Sequence, residues 1–184
     1  MALLTENQVR SWARSRLSKS WRTDSAILKE ASAQTGVFDV FLSHRYLDKE
    51  LVSGLYTQLT SYGLTVYVDW VEDSELDRSH VTPANAKRIR ERIKSSRAVL
   101  FAVSPNTGES VWMPWEAGVG DGAGKKVAVI PVVADANLAA QTVNQEYLGL
   151  YPTVDHVEAD NHRPTFWVNF SDKTFHSLRA WISS

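Results

Sequence analysis

Four short apolar runs punctuate the chain: FDVFL at 38–42, LTVYV at 64–68, AVLFAV at 98–103 and VAVIPVV at 127–133. They are rich in valine and phenylalanine and hardly alternate with polar residues, the pattern of strands buried on both faces of a parallel sheet. The segments between them carry helical periodicity. In DKELVSGLYTQLTSYG, Leu51, Leu55 and Leu59 recur every fourth residue beside Val52 and Tyr56, and Gly63 stands where a C-terminal cap belongs. TPANAKRIRERIKSS opens with Thr82 as cap and Pro83 in the first turn, then places Ile89 and Ile93 on one side among basic residues. WEAGVGDGAG is a shorter, weaker helical piece. Strand and helix alternating in this way predict a doubly wound α/β domain of the flavodoxin-like kind, with helices on both faces of a parallel five-stranded sheet.

The two ends of the chain read differently. Residues 1–35 lack any β-branched run, and TENQ at 5–8 has capping-box form, so a helix is expected over about 5–18, with Val9, Trp12, Arg16 and Leu17 on one side. A second is expected from Asp24 to Gln34, and Gly36 closes this amino-terminal helical extension. Residues 36–184 then form the α/β domain. At the other end, TVDHVE at 153–158 suits the fifth strand, and Ser171 suits the cap of a last helix, DKTFHSLRAWI, with Phe175, Leu178, Trp181 and Ile182 turned to the core.

Composition narrows the chemistry. A length of 184 residues suits one domain, and a net charge of -1 supplies no field that would gather phosphates, which disfavours nucleic acid as a partner. There is no cysteine, so disulfides, thiol nucleophiles and thiolate metal sites are excluded. No apolar run reaches membrane-spanning length and the amino terminus has no signal-peptide pattern, so a cytoplasmic protein without a membrane partner is expected. The chain lacks GxxxxGK[ST], GxSxG and a paired-histidine metal motif, and GVGDGAG follows a helical segment rather than a strand. Of the five histidines only His44 and His80 fall near a common edge, and no metal site is expected.

In an open parallel sheet, ligands sit beyond the carboxyl ends of the strands where strand order reverses, here between the first and third strands. The sequence places SHRY (43–46), DWVEDSELDRSHVT (69–82) and SPNTGESVWMPWE (104–116) at that edge. Within the last, Trp112, Glu116 and Gly120 share one helix face if the first turn is wound from Trp112, which sets a flat ring, a carboxylate and a bare backbone side by side. Such a surface suits a planar, hydroxyl-bearing ligand. A first-turn glutamate also serves the helix dipole and the free N–H groups, and tryptophans near a helix start commonly anchor the core.

FDVFLSHRYLD, LTVYVDW, AVLFAVSPN and SVWMPWEAG, in this order and spacing, resemble a Toll/interleukin-1 receptor (TIR) domain of the bacterial kind found in anti-phage defence. The resemblance implies the TIR fold. It also implies an enzyme that cleaves the nicotinamide–ribose bond of NAD⁺, a substrate rather than a cofactor, to give nicotinamide and either ADP-ribose or a cyclic ADP-ribose signal. Glu116 matches the family's catalytic glutamate, with Trp112 four residues ahead. Ser43, His44, Arg45, Trp70, Ser104, Trp112 and Trp115 are the candidates for holding the substrate, with aromatic rings stacking on nicotinamide or adenine and polar groups on phosphate and ribose. The loop at 69–82 matches the segment by which TIR domains reach a neighbouring subunit, so self-association, other TIR domains and an effector sensing the nucleotide product are the implied partners. A non-catalytic TIR scaffold is the alternative, and an enzyme of nucleoside hydrolysis or deoxyribosyl transfer a third.

Overall fold

A computed structural model describes residues 3–20, 23–44, 49–68, 82–104, 112–135, 149–157 and 164–184; of residues 17–20 and 112 it describes the backbone alone. In chain order these form β1 (Leu4–Thr5), α1 (Glu6–Ser20), α2 (Asp24–Ala33), β2 (Phe38–Ser43), α3 (Lys49–Ser61), β3 (Val66–Val68), α4 (Pro83–Lys94), β4 (Ser96–Val103), α5 (Trp112–Gly122), β5 (Lys126–Val133), β6 (Thr153–Val157), β7 (Thr165–Asn169), β8 (Phe175–Ser177) and α6 (Leu178–Ser183).

The sheet runs β3-β2-β4-β5-β6-β7-β8. Its first five strands are parallel, with Leu42 opposite both Val68 and Leu100 and Phe101 opposite Val129. Strand order reverses at β2, which lies between β3 and β4. The expected five parallel strands are therefore present, and the sheet extends beyond them through the antiparallel strands β7 and β8. Alternation along each strand divides the core. Val40, Leu42, Leu100, Ile130 and Val132 pack under α1, α2, α3 and α6, whereas Phe41, Val99, Phe101, Val127 and Val129 pack under α4 and α5.

Local chemistry fixes the helix ends. The Oγ1 of Thr5, Thr23 and Thr82 accepts from the backbone N–H of Gln8, Ala26 and Asn85 respectively, and Pro83 occupies the first turn of α4. Gly63, at φ +74°, ends α3 in the left-handed region.

The amino-terminal helices are built into the domain. β1 adds to the sheet in parallel, Leu4 opposite Val132 and Thr5 opposite Val133, at the carboxyl end of β5. α1 then crosses α3 so closely that a Cβ at Gly54 would stand 2.1 Å from the carbonyl oxygen of Val9. Arg10 and Arg14 clasp Glu50 of α3 at 2.7 and 2.9 Å. Leu4, Val9, Ile27, Leu28 and Ala31 accordingly belong to the same core as the strands.

Two expectations are corrected. The last helix does not begin at Ser171. Asp172 Oδ1 accepts from the N–H and hydroxyl of Thr174, and Lys173 adopts φ +68°, which forms a tight turn rather than a helical first turn. Residues 175–177 pair with β7 instead, Phe175 is 62% exposed, and Ser177 caps the shorter α6. The second correction concerns Gly120. A Cβ there would meet Val99 Cγ2 at 3.0 Å, so the missing side chain lets α5 approach β4 and opens no space for a ligand.

Candidate active site

The site follows from where β2 and β4 end. Because β2 is central and parallel, Ser43 reaches the carboxyl edge of the sheet with its side chain on the α4 and α5 face, two positions beyond Phe41. β4 ends beside it, Ser43 pairing with Phe101, and the chain returns over that face as α5. α5 is wound from Trp112, so Glu116 lies one turn into the helix. Met113 and Ala117, both buried, hold this turn on the second core.

Glu116 is only 5% exposed and Ser43 only 2%. Across 73 positions of sequence the Ser43 hydroxyl donates a hydrogen bond to Glu116 Oε2. A buried carboxylate without compensation is costly, and a hydrogen bond to a charged acceptor recovers about 1.5–3 kcal/mol. A helix cap facing solvent needs no such partner. The serine therefore fixes one carboxylate oxygen in a dry position at the point where strand order reverses, the location the fold reserves for ligands.

The other candidates divide. His44, also buried, follows Ser43 at the end of β2, and Ser104 follows β4, half-buried at the same edge. Trp115 is half-buried and packs on the second core, with the Arg90 guanidinium 5.9 Å from its ring centroid, so its ring joins α5 to α4. Arg45, Trp70, His80 and the side chain of Trp112 lie outside the described residues, as does all of the 69–82 loop except Thr82. Among the described residues no group of three His, Asp or Glu side chains could hold a metal, and no helix is long and apolar enough to cross a membrane.

One cluster was not anticipated. On the opposite face of the sheet, Trp12, Tyr62, His156 and Phe166 pack edge to face, with ring centroids 4.8–6.2 Å apart. Burial lowers the His156 pKa from its ordinary value, against a weaker opposing effect of its backbone hydrogen bond. Its sequence signal is a glutamine four residues ahead of an aromatic on two helices, Gln8–Trp12 and Gln58–Tyr62, visible only as a spacing.

A doubly wound parallel sheet with a buried, serine-held glutamate on the helix after β4 places a candidate ligand site at the switch point of an α/β fold. Residues 40–177 match the TIR domain family, and the chain belongs to it. Over 99% of its length it is 37% identical to a protein of Bacillus cereus (strain MSX-D12) described as a probable 3' cyclic ADP-D-ribose synthase, ThsB', and covers 98% of that relative. A putative cyclic ADP-D-ribose synthase of Cytobacillus dafuensis is 31% identical over 81 residues, 44% of this chain and 21% of that protein.

Proposed function

We propose that this protein cleaves the nicotinamide–ribose bond of NAD⁺ and closes the remaining nucleotide into a cyclic ADP-ribose, with Glu116 as the catalytic carboxylate. The observation that carries this reading is the buried hydrogen bond from Ser43 to Glu116 at the carboxyl edge of the sheet. The full-length similarity to a relative described as a 3' cyclic ADP-D-ribose synthase supports both the substrate and a linkage through a 3′ hydroxyl.

The chemistry asks little of the protein. The bond between nicotinamide nitrogen and ribose C1 breaks with its electron pair leaving on nitrogen, so the leaving group departs neutral and needs no acid. The ribose left behind has oxocarbenium character, and a fixed carboxylate stabilises that positive charge as it develops. Ser43 holds Oε2, and the fixed carboxylate accepts hydrogen bonds from ribose hydroxyls. Attack by a hydroxyl of the same nucleotide forms the new O–C1 bond, and the proton released passes to Glu116 or water. The balance is NAD⁺ to cyclic ADP-ribose, nicotinamide and a proton; attack by water gives ADP-ribose instead. Exclusion of water from the buried carboxylate favours the cyclic outcome.

Defence signalling, in which a partner senses the cyclic product, belongs to the same proposal, as does association through the 69–82 segment. The test is to incubate the protein with NAD⁺ over rising protein concentration and separate the products by chromatography and mass. Nicotinamide together with a nucleotide one water lighter than ADP-ribose is expected. ADP-ribose alone would remove the cyclase, and intact NAD⁺ at every concentration would remove the enzyme in favour of an assembly scaffold.

A further inference from the structure

The aromatic cluster borders a cavity of about 680 Å³ between α1, α3 and β6, on the face of the sheet away from Glu116. Among the described residues its lining includes Trp12, Tyr62 and His156, with Gln8, Gln58 and Ser61 among the polar groups, and no lysine, arginine or carboxylate. Cavities of this size hold nucleoside-sized molecules.

The hydrogen bonds fix what the polar groups can offer. The Tyr62 hydroxyl donates to the Pro164 carbonyl, and its oxygen lies 3.0 Å from His156 Nε2. The Gln58 carboxamide nitrogen lies 3.2 Å from the same ring nitrogen, and Gln58 also hydrogen-bonds the Tyr62 hydroxyl, an effect that lowers the phenol pKa against the larger, raising effect of burial. The Gln58 NH₂ is thus engaged within the ring cluster, which leaves the amide oxygen as the acceptor it offers the cavity. The Gln8 side chain makes no hydrogen bond among the described residues, and the Ser61 hydroxyl, which donates to the Gln58 carbonyl at 2.7 Å, can still accept. Aromatic walls with the Gln8 carboxamide and the Gln58 amide oxygen match a flat ring whose edge donates and accepts side by side.

We propose that this cavity is a second ligand site, for an uncharged planar heterocycle with a carboxamide-type or nucleobase edge. Free nicotinamide and the adenine of a nucleoside share that chemistry. The described lining offers amides, a hydroxyl and rings but no lysine or arginine, which suits the base rather than a phosphate. α1 supplies Gln8 and Trp12, which gives the segment ahead of the matched family region a role in recognition. The site needs no turnover, so it stands or falls independently of the proposed reaction.

The experiment is titration of ¹⁵N-labelled full-length protein carrying Glu116→Gln with nicotinamide and, separately, adenosine, following the Trp12 indole N–H. Saturable shifts with a dissociation constant of about 0.1–1 mM for at least one ligand are expected. Gln8→Ala and Gln58→Ala should each weaken binding about tenfold, and Gln8→Ala, which removes no hydrogen bond among the described residues, keeps the test valid should Gln58→Ala not fold. The arm that binds tells nicotinamide from a nucleoside. No saturable shift with either ligand up to about 10 mM overturns the proposal. Binding that Gln8→Ala leaves unchanged overturns it too.

Discussion

The two faces of the sheet bury polar groups in different ways. On the α4 and α5 face a carboxylate, Glu116, is taken out of water with the Ser43 hydroxyl on one of its oxygens, beside a core that includes Met113, Ala117 and Phe101. On the α1 and α3 face the polar cluster is half-buried and neutral: a tyrosine, a histidine and a glutamine share hydrogen bonds beside aromatic rings, and the charged groups Arg10, Arg14 and Glu50 stay near solvent. Burying a charge costs several kcal/mol, whereas a bonded neutral group costs little. The first arrangement thus marks where chemistry is proposed, and the second a place suited to packing and recognition.

The comparison breaks most visibly at Gly54. A methyl group there collides with the Val9 backbone, so Gly54→Ala should lower stability by about 3 kcal/mol, read by thermal or urea unfolding. Activity per folded molecule should survive, because Glu116 lies across the sheet; its loss would mean that the faces are coupled. On the other face, Ser43→Ala removes the hydrogen bond to the carboxylate and should slow nicotinamide release by roughly 10- to 100-fold, the rate equivalent of the bond to a charged group. Gly120→Ala meets a side chain rather than backbone and should cost about 1 kcal/mol, with a smaller fall in rate as α5 shifts from Val99.

The smallest effect is that of pH. Burial raises the Glu50 pKa, but Arg10 and Arg14 outweigh it and leave the carboxyl below its ordinary value. The stabilisation is therefore present above the unfolded-state value and fades as pH falls through the folded one. The lowered His156 pKa acts in the same direction, since the folded state resists protonation and loses stability as pH drops below the ordinary imidazole range. Acid should loosen α1, with Glu50 contributing less than about 1 kcal/mol because the pair is largely solvated. Glu50→Gln should flatten the thermal midpoint's dependence on pH in the acid range.

Much of this was legible in the sequence where one physical rule dominated. Double burial wrote β2, β4 and β5 as apolar runs, and the threonines at 5 and 82 marked the starts of α1 and α4. Four-residue spacing placed Glu116 in the first turns of α5. The β7–β8 hairpin was hidden because its turn uses an aspartate side chain and a lysine in the left-handed region, which imitates a helix cap. The Gly120 spacing was legible but its reason was not, since a bare helix position serves close packing as readily as a ligand. The Ser43–Glu116 contact spans 73 residues, so only the topology rule could suggest it. The aromatic box joins four separate stretches of chain, and only the Gln8–Trp12 and Gln58–Tyr62 spacings trace it in the sequence.

The most direct measurement compares nicotinamide release from NAD⁺ by the native protein and by Glu116→Gln, at matched concentration and after both are confirmed folded. The amide keeps the shape and can still accept from Ser43, but carries no charge to stabilise an oxocarbenium-like ribose. The account predicts release by the native protein and a fall of at least about 100-fold in the variant, with thermal midpoints close together. Equal rates in the two proteins would contradict it, and would leave Glu116 a structural carboxylate.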